Sequence, residues 1–81
     1  MRVDKFLKVS RILKRRTLAQ DAANGGRIKI NDKTVKPAHQ IKVGDILEIG
    51  FNSGTVKVLI KDVKETVKKE QVESLYEVIE D

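Results

Sequence analysis

The sequence predicts an α+β domain: two short N-terminal helices on a small, mostly antiparallel sheet, with a C-terminal helix closing the core. Three observations predict it. Val3, Phe6, Leu7 and Ser10 recur at i, i+3, i+4, i+7, one face of an α-helix. Between Arg27 and Ile60, apolar and polar residues alternate in short runs broken by turn signals, the pattern of half-buried strands. Val72, Leu75, Tyr76 and Ile79 then return to helical spacing.

Each element has a local cause. Asp4 is placed to cap the first helix, which then runs from about Lys5 to Val9 or Ser10. Ile12 and Leu13 add apolar mass where the chain turns. Thr17-Leu-Ala-Gln20 fits a capping box and opens a second helix, about Leu18 to Asn24. Its inner face is Leu18, Ala19, Ala22 and Ala23, small enough for close helix packing. Gly25-Gly26 ends it, because glycine accepts the left-handed conformation a helix terminus wants. In Arg27-Ile-Lys-Ile30 the isoleucines face in and the cations out. Asn31-Asp32 turns the chain into Lys33-Thr-Val35, a tight hairpin. Pro37 breaks that strand, and Ile41 and Val43 are expected to pack back. Gly44-Asp45 leads into Ile46-Leu-Glu-Ile49. Asn52-Ser-Gly54 turns the chain again, and Thr55 to Ile60 alternates through Val56, Val58 and Ile60. The expected last helix is acidic outside, with Glu70, Glu73, Glu77 and Glu80.

A chain of 81 residues makes one domain with a small core. It has no cysteine, so neither a disulfide nor a thiolate metal site supports that core. No stretch approaches the roughly 20 apolar residues of a membrane span, and no signal-peptide pattern follows the early charges. A soluble, cytoplasmic protein is expected, with no membrane partner. Its charge is unevenly distributed. Residues 1–42 hold twelve Lys/Arg against three Asp/Glu, a net of +9, and residues 43–81 hold five against nine, a net of −4. The first half therefore calls for a polyanionic partner.

The cations are ordered. Arg2, Lys5, Lys8, Arg11 and Lys14 recur every third residue, and Lys14-Arg15-Arg16 closes the stretch. With Thr17 at the second helix N-terminus, and Arg27 and Lys29 on the first strand, they make the candidate RNA-binding set. A phosphate chain needs such a face, because neutralising it releases counterions and supplies most of the affinity. The arginines suit bidentate phosphate contacts better than the lysines. Composition alone does not separate RNA from DNA. Other chemistry finds little support. His39 is the only histidine and has no metal-ligating companion. Gly25-Gly26 lacks the surroundings of a nucleotide loop. The carboxylates Asp4, Asp21 and Asp32 form no convergent pair. Phe6 reads as core, so no aromatic platform for base stacking is expected. No enzyme activity, cofactor or metal is expected.

The ordered string Arg2-Val-Asp-Lys-Phe-Leu, Ser10-Arg, Lys14-Arg-Arg-Thr-Leu-Ala19, Gly26-Arg-Ile, Ile30-Asn-Asp-Lys, Val35-Lys-Pro37 and Val43-Gly-Asp45 resembles the S-four (alpha-L) type of RNA-binding domain. The resemblance covers about residues 1–50, with residues 51–81 expected as a strand-and-helix extension on the same domain. The sequence departs from the family pattern at Asp32, where glycine is usual, and at Val43, where proline is frequent. Within the family, the near-absence of other domains is similar to the fifteen-kilodalton heat-shock proteins. The tail Glu65-Thr-Val-Lys-Lys-Glu70 with Leu75-Tyr76 is more similar to the ribosome-associated quality-control factors of the RqcP family. That resemblance implies a non-enzymatic factor on obstructed large ribosomal subunits. It would contact large-subunit rRNA and the P-site peptidyl-tRNA, act with an RqcH-type tailing factor during C-terminal alanine tailing, and be a monomer. Rival readings are a general large-subunit recycling factor, an in-trans targeting module for an RNA-modifying enzyme, and a DNA-binding protein. Neither Arg2 nor Arg16 is expected to support the core.

Overall fold

The computed structural model describes residues 1–13, 16–51 and 54–80, with side chains described for all of these except 16–18 and 80. The chain runs α1 (Val3–Val9), α2 (Arg16–Asn24), β1 (Ile28–Ile30), β2 (Lys33–Thr34), β3 (Ile46–Phe51), β4 (Gly54–Ile60), a 3-10 helix at Lys69–Ser74, and β5 (Tyr76–Glu80). The five strands form one sheet in the order β2-β1-β3-β4-β5, antiparallel at every pairing. The helices cover one face of it, so the α+β class holds.

Val3, Phe6, Leu7 and Ser10 are all fully buried, as their spacing requires. Ala19, Ala22 and Ala23 of α2 are buried with them; the Leu18 side chain lies outside the described residues. α2 ends in a two-bond Schellman motif. Gly26 takes φ +76°, its N–H donates to the Ala23 carbonyl at 3.1 Å, and the Arg27 N–H donates to the Ala22 carbonyl at 2.9 Å. Ile28 and Ile30 face the helices, and the register sets Ile28 opposite Ile49 and Ile30 opposite Leu47. Asn31 and Asp32 have φ +51° and +70°, the two left-handed residues of a tight hairpin turn, so Asp32 adopts the conformation that glycine prefers. The tip residues Asn52 and Ser53 lie outside the described residues; Phe51 pairs with Gly54 across them.

Three local expectations are corrected. First, α1 starts at Val3 with Arg2 in the N-cap position, and Arg2 makes no side-chain cap. Asp4 sits inside the first turn and is fully buried. Second, Val43 is 56% exposed. Ile41 alone turns inward, and the next buried side chain is Asp45, whose carboxylate accepts the Lys42 N–H at 3.0 Å and Asn31 Nδ2 at 3.2 Å. Third, the chain ends in a strand rather than a helix. Val72 and Leu75 are buried, but Ile79 is 48% exposed, so the helical face stops at Leu75. A 3-10 turn already places residues three apart on one side, which serves Val72 and Leu75. Beyond them, Tyr76-Glu-Val-Ile79 has strand-favouring side chains and pairs with β4, whose backbone groups would otherwise form an open edge. Lys57 faces Glu80 and Val58 faces Val78, so Ile79 is the extra residue of a β-bulge.

Candidate nucleic-acid interface

The first cation of the stretch, Arg2, is oriented by a buried carboxylate. Asp4 Oδ1 accepts Arg2 Nε at 3.1 Å and the Lys5 N–H at 2.8 Å. Its Oδ2 accepts Arg2 Nη2 at 3.0 Å and Gln20 Nε2 at 3.2 Å. One buried side chain thus gathers the start of α1 and the first half of α2. The arrangement is favourable because two of the donors belong to a guanidinium fork that matches a carboxylate. Arg2 remains 41% exposed while so held. It presents the outer edge of an oriented guanidinium and does not swing free.

Lys5 and Lys8 follow on α1. Lys5 donates to Glu65, which holds that carboxyl below its usual pKa range. Lys8 is exposed. Arg11 is exposed and has φ +62°, just past the end of α1, where its N–H donates to the Lys8 carbonyl at 3.0 Å. The threefold ridge of cations therefore ceases to be helical at Lys8. With Glu65 and Thr66, Lys8 and Arg11 line a shallow groove of about 320 Å³. A non-glycine residue in the left-handed region costs about 1–2 kcal/mol, and glycine returns roughly half of that as lost chain entropy. Arg11→Gly is therefore expected to raise unfolding free energy by about 0.5 kcal/mol, read in a urea titration. A loss beyond 1 kcal/mol would show that the arginine side chain supports the fold.

Lys14 and Arg15 lie outside the described residues, as do the side chains of Arg16 and Thr17. Their backbone places Arg16 and Thr17 in the first turn of α2, so Thr17 is within the helix and not at its cap. Gln20, expected to reach back to Thr17, gives an amide N–H to Asp4.

The remaining candidates are not brought to this face. Arg27 follows the other end of α2, about 13 Å along a nine-residue helix. Lys29 is on the sheet face away from the helices, because its neighbours Ile28 and Ile30 face inward. There Lys29 Nζ is 3.7 Å and Lys57 Nζ 3.6 Å from the Glu48 carboxylate, a cross-strand trio in which one anion is shared by two cations and a net +1 remains. Among the described side chains, the candidates on the α1 side are therefore Arg2, Lys5, Lys8 and Arg11. Glu65 was not legible as a member of this neighbourhood, since sixty residues separate it from Lys5. Among the described residues no group of side chains is arranged to hold a metal ion.

Comparison with known proteins gives the chain its family. The S4 domain family matches residues 1–47. A Halalkalibacterium halodurans protein named RQC P-site tRNA stabilizing factor is 53% identical over 78 residues, covering 96% of this chain and 89% of that one. Its Bacillus subtilis counterpart of the same name is 44% identical over 81 residues, covering 100% of this chain and 94% of its own. A trimeric structure of Vibrio cholerae Heat Shock Protein 15 superposes with a TM-score of 0.89 at 23% identity, covering 96% of this chain and 80% of that one. The chain belongs to the S4-domain family, in the branch that holds these two stabilizing factors.

Proposed function

We propose that this chain is a non-enzymatic RNA-binding factor of ribosome-associated quality control. In this reading it binds obstructed large ribosomal subunits at rRNA and at the P-site peptidyl-tRNA, and supports C-terminal alanine tailing by an RqcH-type factor in the cytoplasm. The observation that carries it is the row of cations from Arg2 to Arg11, with Arg2 oriented by Asp4, on a chain 53% identical over 78 residues to a factor named for the P-site tRNA. The candidate contacts are Arg2, Lys5, Lys8, Arg11, Lys14, Arg15, Arg16 and Thr17. Arg27 and Lys29 would meet RNA only if it wrapped past the end of α2. Residues 1–50 would carry the RNA contacts, and β4 and β5 complete the sheet beneath them.

Phosphate contacts make the reading testable. With roughly four to six of them, log K for structured large-subunit rRNA is expected to fall against log[salt] with a slope of about −3 to −5. Arg16→Ala is expected to weaken co-sedimentation with large subunits by about 1–3 kcal/mol, the range for a charged hydrogen bond to a charged partner. Arg16→Lys should restore it in part, since lysine keeps the charge but not the fork. A flat salt dependence would sink the electrostatic reading. Recovery of subunits without tRNA would favour a general recycling factor, free modification enzyme a targeting module, and chromosomal DNA a DNA-binding protein.

A further inference from the structure

A second cationic concavity lies outside the α1 face. The β1–β2 hairpin and the loop through residues 36–42 enclose an open groove of about 660 Å³. Lys33, Lys36 and Lys42 line it, all exposed, with His39 beside them. Among the described residues no salt bridge engages these three lysines, whereas Arg2, Lys5, Lys29 and Lys57 all have carboxylate partners. The one acidic residue in the groove, Asp45, is buried, with one oxygen on the Lys42 N–H and the other on Asn31 Nδ2. It braces the wall and leaves the lysines uncompensated.

The groove is built before any ligand arrives. Asn31 Oδ1 accepts the Ile46 N–H at 3.0 Å, pinning the hairpin to the start of β3. The opposite wall is tied to α1: the Val3 N–H donates to the His39 carbonyl at 2.8 Å, and the Asp4 N–H to the Pro37 carbonyl at 3.3 Å. Arg2 itself forms a backbone bridge with Gln40, another residue of the groove. The concavity therefore begins one bridge away from the oriented guanidinium of Arg2. Three exposed ammonium groups above a braced floor suit an extended anion, and pre-set walls lower the ordering cost of binding. No Phe, Tyr or Trp lines the groove, and His39 is the one ring there on which a base could stack.

We propose that the groove is a second phosphate-binding track, which takes the sugar–phosphate backbone of an RNA strand continuing past Arg2. Its contacts are to phosphate, so it adds affinity and orientation and reads no sequence. The assignment rests on the RNA-binding function proposed above.

The test uses the full chain and deproteinised large-subunit rRNA, with binding measured from low to high salt. Three proteins are compared: the native chain, a groove variant carrying Lys33→Gln, Lys36→Gln and Lys42→Gln, and a control carrying Lys61→Gln, Lys64→Gln and Lys69→Gln. Both variants lose three charges from exposed positions. The groove variant is expected to melt like the native chain and to show a salt slope shallower by about two to three, because each lost phosphate contact removes about 0.7–0.9. The control is expected to keep the native slope. A groove variant with the native slope, or a control as shallow as the groove variant, would overturn the track. If the native chain shows no salt-dependent binding at all, the RNA-binding function fails first and takes the track with it. Native-like RNA binding by the groove variant combined with lost capture of an acidic peptide would reassign the groove to protein and overturn the proposal.

Discussion

Leu75→Ala is expected to lower unfolding free energy by about 2–4 kcal/mol, a large part of what a domain of this size has. Leu75 is fully buried and belongs to the same core cluster as Phe6 and Ile60. Its carbonyl also accepts the Lys61 and Asp62 N–H groups at 2.8 and 3.2 Å, so the site is tied to the chain leaving β4 and collapses poorly around a cavity. Ile79→Ala is the internal comparison. Ile79 is half exposed at the bulge, and its truncation should cost less than about 1 kcal/mol. On a C-terminal helix the two residues would share one buried face and cost similar amounts. Parallel urea titrations separate the cases: equal losses would restore the helix, and a loss under 1 kcal/mol at Leu75 would make the whole tail peripheral.

Asp4→Ala should cost about 2–3 kcal/mol. The substitution leaves the Gln20 amide and the Lys5 N–H without this acceptor, and it disconnects α1 from α2. Arg2 moderates the loss, because its guanidinium is 41% exposed and water can take the place of the carboxylate. Arg2→Ala tests the pair from the other side, since it removes a guanidinium fork from a buried carboxylate; about 1–3 kcal/mol is expected. The fork on Asp4 gives Arg2 a structural contact that its sequence position does not announce. The double variant Arg2→Ala with Asp4→Ala should cost at least 1 kcal/mol less than the two single losses added together. Additivity within about 0.5 kcal/mol would mean that the fork contributes nothing. Any RNA-binding assay on Arg2 variants has to be referred to the folded fraction.

Most of the fold was legible because its signals are local. The α1 face, the double glycine after α2 and the alternation in β1, β3 and β4 each depend on neighbours a few residues apart. The C-terminus misled because Val72, Leu75, Tyr76 and Ile79 satisfy helical spacing while the deciding influence, the open edge of β4, lies some twenty residues upstream. Val43 misled for a similar reason. A buried carboxylate at Asp45 holds the inward position that an apolar residue was expected to take, and it does so by bonds to Asn31 and the Lys42 N–H. The cationic residues of the site were legible as types, but their grouping was not. Alternation already places Lys29 opposite its isoleucines, and helices packed on the isoleucine side leave it on the far face from α1, so grouping it with the helix cations ran against that pattern. The pairing of Lys5 with Glu65 has no local signature at all.

The β-bulge at Ile79 bears on how this chain behaves in company. A sheet grows when an outer strand offers a long, flat row of unsatisfied backbone groups. Here one outer strand, β2, is two residues long and carries Lys33. The other, β5, is bent at Ile79, two residues after Glu77. An extended peptide drifting past, whether a half-made chain or a second copy of this one, meets no long straight template on either side, which disfavours fibre-like stacking at both ends of the sheet.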